Sequence, residues 1–146
     1  RIRQAALRHG ARVSFINPRA CDLRFPVLAQ LTSNGLGMAQ HLAAVLVAAL
    51  RSAGQAAPAT LQAALDGVTP TAQHEAIAAS LTAGDLRVVL LGALAERHVA
   101  YAEIRALASA LRAQSARRAP TAVNAKARPR KARAAGARQR VTRGRG

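Results

Sequence analysis

Two short apolar runs stand out along the chain, at residues 13–17 and 86–91. Each is rich in Val, Leu, Ile or Phe, follows a segment with helical periodicity, and stops at a residue that ends a strand, Pro18 or Gly92. Continuous apolar runs of this length, bounded by turn residues, indicate strands buried on both faces. Such strands occur mainly in parallel sheets covered by helices. The pattern therefore predicts an α/β layered domain, or part of one, in which helices flank a small parallel sheet.

The clearest amphipathic helix is predicted from Met38 to about Ser52. Its apolar residues recur at i, i+3, i+4, i+7 and i+8, and they form one stripe: Leu42, Val45, Leu46, Ala49 and Leu50. Other helical segments are predicted over residues 2–9, 60–65, 72–81 and 99–113. The longest apolar stretch, residues 42–50, is far shorter than the roughly 20 residues that cross a bilayer, so no transmembrane segment is expected.

A further strand is predicted within residues 25–31, where Pro26 favours the start of a strand or an edge position. Alternating helices and strands predict right-handed crossovers and a parallel sheet. A sheet of two or three strands is usually part of a larger structure. Because the chain opens with Arg1 and not with Met, we also expect a processed chain or a fragment.

Charge divides the chain into two parts. The formal net charge is +16, yet the 35 residues from Arg112 to Gly146 hold twelve Lys/Arg and no Asp or Glu. The composition therefore predicts a folded α/β part over residues 1–114 and a disordered basic tail over residues 115–146, because the tail has almost no aliphatic residues to bury.

The tail is one candidate binding segment. Dense basic clusters bind phosphate backbones by counterion release, so nonspecific binding of polyanions is expected. The candidate nucleic-acid-binding residues are Lys126, Arg128, Arg130, Lys131, Arg133, Arg138 and Arg140. No aromatic residue lies among them, so base stacking and sequence readout are not expected.

Catalytic and metal-binding patterns are incomplete along the chain. His74-Glu75 begins like a zinc-protease helix, but Ala78 stands where the second histidine is needed, and we expect solvated or helix-end histidines and no metal site. Gly35 and Gly37 precede the main helix like a dinucleotide-binding turn, but no acidic residue follows at the spacing that binds a ribose. The expected set of catalytic residues is therefore empty, although nucleotide binding at these glycines stays a third option.

Asn17, Pro18 and Arg19 end the first predicted strand. The carboxyl ends of strands are where open α/β sheets bind ligands, so the side chains of Asn17 and Arg19 are candidate donors to a nucleotide or to another protein segment. The same three residues also fit a turn that only closes the strand.

Two collinear segments resemble oxidoreductase sequences. Residues 3–19 resemble the molybdopterin oxidoreductase family, in which a helix and a strand end in an Asp/Asn-Pro-Arg turn. Residues 86–108 are similar to the large iron–sulfur subunit of bacterial proton-pumping NADH-quinone oxidoreductase, complex I. Phe25-Pro-Val27 before an Ala/Leu-rich helix matches that subunit as well.

The resemblance implies that residues 1–114 are a fragment of the molybdopterin-like domain of that large iron–sulfur subunit, a domain with a structural role and without molybdenum. The parent complex would transfer electrons from NADH to quinone, and the expected partners are its other subunits. The implied location is the cytoplasm, peripheral at the cytoplasmic face of the inner membrane. Iron–sulfur clusters are expected in the parent subunit, held by upstream Cys and His motifs, and no cofactor is expected in this chain.

In molybdopterin enzymes, the region after the Pro-Arg turn helps to hold the nucleotide end of the cofactor. Asn17, Pro18 and Arg19 correspond to that turn, whereas Ala20-Cys21-Asp22 departs from the usual hydroxyl-rich continuation. The resemblance ends near Gln114, and the Ala-, Arg- and Gly-rich tail is typical of GC-rich coding sequence read in a shifted frame. The alternative hypothesis is a small basic nucleic-acid-binding protein that acts through this tail.

Overall fold

The computed structural model describes residues 1–83 and 86–117. Its elements follow one another as α1 (Ile2–His9), β1 (Ser14–Asn17), β2 (Ala29–Thr32), α2 (Gly37–Ala53), a 3-10 turn (Ala59–Leu61), α3 (Gln62–Leu65), α4 (Ala72–Ala83), α5 (Ala93–Glu96) and α6 (Tyr101–Arg117). Within the described residues, β1 and β2 form a two-stranded parallel sheet. Helices combined with a small parallel sheet confirm the predicted α/β class.

Helix α2 is the centre of the core, because α3, α4, α6 and β1 all pack against it. The residues of its predicted stripe are all buried, and so are the apolar residues on one face of α6: Ile104, Leu107, Ala108 and Leu111. Alanines at positions such as Ala43 and Ala44 are buried as well. The long leucines contribute most of the stability here, since burying one such side chain is worth about 1.5–3 kcal/mol.

One face of the sheet packs against the helices. β1 and β2 are in register, with Ile16 paired with Leu31 and Ser14 paired with Ala29. Ala29 and Leu31 belong to the buried core, and Ile16 packs against it. Side chains alternate between the two faces of a strand, so every second residue of each strand points to the helices.

The other face of the sheet is covered by the loop that connects β1 to β2. The rings of Phe15 and Phe25 lie 6.4 Å apart between centroids, at an angle of 54°. The Gln30 side-chain amide accepts the main-chain N–H of Cys21 at 2.7 Å and donates to its carbonyl oxygen at 2.9 Å. The prediction of strands buried on both faces by helices is therefore wrong: β1 is only half-buried along its length, because a loop and not a helix makes this crossover.

The predicted strand at residues 86–91 is also wrong. The segment has the alternating burial of an extended chain, but it is not part of a sheet, since no hydrogen bond joins its main chain to another described residue. Val89 and Leu91 point inward and pack against the core. Three apolar side chains point outward instead, with exposed fractions of 97% at Leu86, 71% at Val88 and 69% at Leu90.

The remaining elements shift only at their ends. The second strand is confined to residues 29–32, after the loop that holds Pro26, and the last helix begins at Tyr101 after the short α5. Gly10, directly after α1, takes a left-handed conformation (φ 63°), in which a glycine commonly ends a helix. No helix among the described residues is long and apolar enough to cross a membrane.

Candidate functional site

The carboxyl ends of β1 and β2 lie at the same edge of the sheet, because the strands are parallel. Asn17 is paired with Thr32 there, and the chain then runs through residues 33–36 into the N-terminus of α2. This edge is the place where parallel α/β sheets bind ligands. It is therefore the candidate functional site that the sequence predicts.

Asn17, Pro18 and Arg19 form a turn at this edge. The carbonyl oxygen of Asn17 accepts the Ser33 N–H at 3.4 Å, which extends the pairing of the strands by one residue. Asn17 and Pro18 are half-buried and Arg19 is exposed. Neither the Asn17 nor the Arg19 side chain has a hydrogen-bond partner among the described residues. Both side chains are thus unengaged polar groups beside the site.

Gly35 and Gly37 are arranged differently from a dinucleotide-binding turn. The N–H of Gly37, the first residue of α2, donates to the side-chain Oδ1 of Asn34 at 3.1 Å. In dinucleotide-binding turns, main-chain N–H groups at this point bind phosphate. Here the Asn34 side chain already occupies this donor.

Gly37 has a packing role. A Cβ atom at this position would lie 2.6 Å from the Cβ of Ser33, whereas a Cβ at Gly35 would have no atom within 4 Å. Neither glycine has a positive φ. The close approach of Ser33 to the start of α2 therefore explains the glycine at position 37, but not the one at position 35.

His98 connects this loop to the segment before α6. Its Nε2 contacts the carbonyl oxygen of Gly35, and its Nδ1 accepts the N–H of Ala100 at 2.9 Å. Because His98 Nδ1 accepts a hydrogen bond, it carries no hydrogen. The ring hydrogen then lies on Nε2, which donates to the Gly35 carbonyl oxygen. The contact holds the α5–α6 connection against the loop at the candidate site.

A second histidine arrangement, which the sequence pattern did not predict, lies between α2 and α4. The distance from His41 Nδ1 to His74 Nε2 is 2.9 Å. The ring centroids are 5.2 Å apart at an interplanar angle of 28°. This separation equals the nitrogen–nitrogen distance plus about two ring radii, so the rings meet edge to edge through their nitrogens and are not stacked face to face.

His74 lies in the first turn of α4, which agrees with a helix-end histidine, but it is buried and not solvated, with 5% of its surface exposed. Its Nδ1 accepts the Thr71 N–H at 3.0 Å and lies 2.7 Å from Thr71 Oγ1. The pKa of His74 is lowered, first by burial and then by the neighbouring charge of His41. The spacing Thr71-x-x-His74 is that of a capping box. This spacing is the sequence signal that would have indicated the hydrogen bond between the Thr71 N–H and the His74 side chain.

The described residues contain no group of three or more His, Cys, Asp or Glu side chains that would hold a metal ion. In the histidine pair, the His41 and His74 nitrogens point at each other and not at a common third point. Cys21 is exposed, with its Sγ 3.8 Å from the carbonyl oxygen of Arg19. The chemistry that the described part of the chain offers is therefore hydrogen bonding, without an assembled nucleophile and base.

The tail candidates lie outside the described residues: Lys126, Arg128, Arg130, Lys131, Arg133, Arg138 and Arg140. Comparison with known proteins found no matching family model, no matching curated protein and no matching solved structure.

Proposed function

We propose that the chain is a structural segment of a larger α/β protein, and that it acts by packing against other polypeptide and not by chemistry of its own. The segment 86–91 carries this proposal. It lies extended on the core through Val89 and Leu91, yet three large apolar side chains, which alternate with them, point to solvent. Exposed apolar clusters of this kind mark surfaces that bind other protein.

The main chain of segment 86–91 supports the same proposal. Its N–H and C=O groups have no hydrogen-bond partner among the described residues. An extended segment with free main-chain groups and apolar side chains is a template for pairing with another strand. Arg87 donates through Nη2 to the Thr82 carbonyl oxygen at 3.3 Å, but its buried Nε has no partner among the described residues.

The larger protein that we propose is the large iron–sulfur subunit of an NADH-quinone oxidoreductase. This part of the proposal comes from the resemblance of residues 3–19 and 86–108, and the second of these ranges contains the unpaired segment. The chain would then support electron transfer from NADH to quinone as a scaffold, with the other subunits as partners. Its place would be at the cytoplasmic face of the inner membrane, and the iron–sulfur clusters would lie elsewhere in the parent subunit.

The test is association with that complex. The tagged full chain is expressed in cells that contain NADH-quinone oxidoreductase, and the subunits that purify with it are identified by mass spectrometry. A Val88→Lys variant should lose at least about tenfold in recovered subunits, because a lysine on the outward side of an extended segment opposes strand pairing. Its thermal unfolding midpoint should stay close to that of the wild type, because Val88 is 71% exposed.

The matched control is Leu7→Lys, which places the same charge on another exposed leucine, in α1 (53% exposed). This variant should recover the subunits as well as the wild type does. If Val88→Lys and the wild type recover equal amounts, segment 86–91 is not the contact surface. If no dehydrogenase subunit is recovered with any variant, the assignment to this complex is wrong.

The alternative is a nucleic-acid-binding protein that acts through its basic tail. The twelve Lys/Arg residues between Arg112 and Gly146, without an acidic residue, favour it. This alternative is correct if the chain purifies with RNA or DNA at physiological salt and without dehydrogenase subunits. Weak phosphate contacts are lost as salt rises, so binding that persists at this salt is not incidental.

A further inference from the structure

The contact between α2 and α4 contains one continuous chain of hydrogen bonds through three side chains. It runs from Thr71 to His74 Nδ1, and from His74 Nε2 to His41 Nδ1 at 2.9 Å. Thr71 directly precedes α4, His74 lies in the first turn of α4, and His41 lies near the start of α2. These three residues are called the histidine clasp below.

The positions of the hydrogens in the clasp follow from its one fixed donor. The main-chain N–H of Thr71 can only donate, so His74 Nδ1 must present its lone pair. A neutral histidine then carries its hydrogen on Nε2, and this N–H donates to His41 Nδ1. His41 in turn carries its own hydrogen on Nε2. In the neutral state, every hydrogen bond of the clasp is satisfied.

A second proton on either ring breaks this arrangement. The two unprotonated nitrogens, His74 Nδ1 and His41 Nδ1, each face an N–H group. A proton added at His41 Nδ1 sets two N–H groups against each other. A proton added at His74 Nδ1 displaces the Thr71 N–H, and the only acceptor that this hydrogen meets among the described residues is Thr71 Oγ1, 2.7 Å away. Either proton also places a cation in or beside a core residue with 5% of its surface exposed. A buried charge without a partner is strongly unfavourable.

Among the described residues, the surroundings of the clasp provide no anion that would compensate the cation. Neither β1, β2 nor α3 contains a titratable residue. On α4 and α2 the other charged residues are Glu75 and Arg51, and both are exposed. The charged residues of α6, which packs against α2, are exposed too where their side chains are described: Glu103, Arg105 and Arg112. No carboxylate among the described residues is bonded to either ring of the clasp.

We propose that the histidine clasp is an acid-sensitive latch: it holds α4 against α2 while both rings are neutral, and it opens when either ring takes up a second proton. The element that responds is α4, because its first turn loses the Thr71–His74 cap and its contact with His41 at the same time. The lowered pKa of His74 agrees with this arrangement.

The direction of the pH dependence follows from linkage. Histidine in the unfolded chain has a pKa of about 6.5, and that of His74 in the folded chain is lower. Below about pH 6.5 the unfolded state therefore binds more protons, so stability is fully present above this pH and falls as the pH drops toward the folded pKa. Each unit by which the folded pKa is lowered multiplies the unfolding equilibrium constant by up to about ten at the acid end.

The test uses the full chain and its urea unfolding midpoint at about pH 7.5 and about pH 5.0, on either side of the ordinary histidine pKa. The informative variant is His74→Gln, because a glutamine at this position completes a capping box with Thr71 and can donate to His41, but does not titrate. The wild-type midpoint should fall clearly between the two pH values, whereas His74→Gln should lose less than half as much. The matched control is His9→Gln, at an exposed histidine in α1, which should keep the wild-type pH dependence.

An NMR titration of the histidine rings in the wild type gives an independent result if His74→Gln does not fold. The His74 ring should titrate below the ordinary histidine pKa of about 6.5, and amide exchange in α4 should accelerate at the acid pH. The proposal is overturned if the wild-type midpoint is the same at both pH values, if His74→Gln retains the full wild-type fall, or if the His74 ring titrates at or above about pH 6.5.

Discussion

Gly37 shows how much one position can depend on a contact that no local pattern reveals. Its hydrogen is the largest substituent that fits beside Ser33 at the start of α2. The neighbouring Gly35 looks equivalent in the sequence, but it has open space around its Cα atom. Sequence reasoning left nucleotide binding at the two glycines as a third option, because a Gly-x-Gly pattern alone does not distinguish close packing from ligand binding.

The Gly37→Ala substitution should destabilise the protein by about 1–3 kcal/mol, the usual cost of forcing an extra methyl group into a packed site. The Cβ of Ser33 cannot rotate away from the new methyl group, so the start of α2 must shift. Chemical denaturation measures the loss. Gly35→Ala is the control and should change stability by less than about 0.5 kcal/mol. Equal effects at the two positions would contradict the packing role of Gly37.

At the scale of elements, the buried faces of the helices were predictable, whereas the partners of the strands were not. The stripes of α2 and α6 are buried as the 3.6-residue period indicates. Segment 86–91 has strand composition, but a strand also needs a neighbour to bond with, and none of the described residues takes that place. The loop that covers the sheet through Phe25 and Gln30 has no periodic signal at all, because its contacts join isolated positions.

A cavity between α2 and α6 should lower the free energy of unfolding strongly. Leu107 in α6 is fully buried (0% exposed), so Leu107→Ala should lower the free energy of unfolding by about 2–5 kcal/mol. Urea denaturation measures this loss, with Leu94→Ala as the control, since Leu94 is 61% exposed. A loss below about 1 kcal/mol at Leu107 would show that α6 does not pack on the core as described.

At the scale of the whole molecule, the core and the charge lie in different parts of the chain. The buried cluster extends from Ala29 to Leu111. Most of the excess positive charge lies from Arg112 onward, since residues 1–111 have a net charge of only +4. We therefore expect the core to fold without the basic residues that bind polyanions. The predicted boundary after residue 114 is wrong by three residues, because α6 continues to Arg117 and so includes the first residues of the segment predicted to be disordered.

Deletion of residues 118–146 should leave the thermal unfolding midpoint within about 2 °C of the full chain, because every residue of the buried cluster is retained. The same deletion removes ten Lys/Arg residues and should abolish retention on heparin at physiological salt. Calorimetry and salt elution measure the two effects. A midpoint that falls by more than about 5 °C, or an unchanged elution, would show that fold and tail are not independent.

The sequence by itself determined the α/β class, the positions of the helices other than α5, and the buried faces of α2 and α6, because helical hydrogen bonds and periodicity join residues three or four apart. Only the tertiary structure decided that segment 86–91 has no strand beside it among the described residues, that a loop covers one face of the sheet, and that His41 and His74 share a hydrogen bond. Each of these depends on groups far apart along the chain, and their meeting is set by how the helices pack and not by any local pattern.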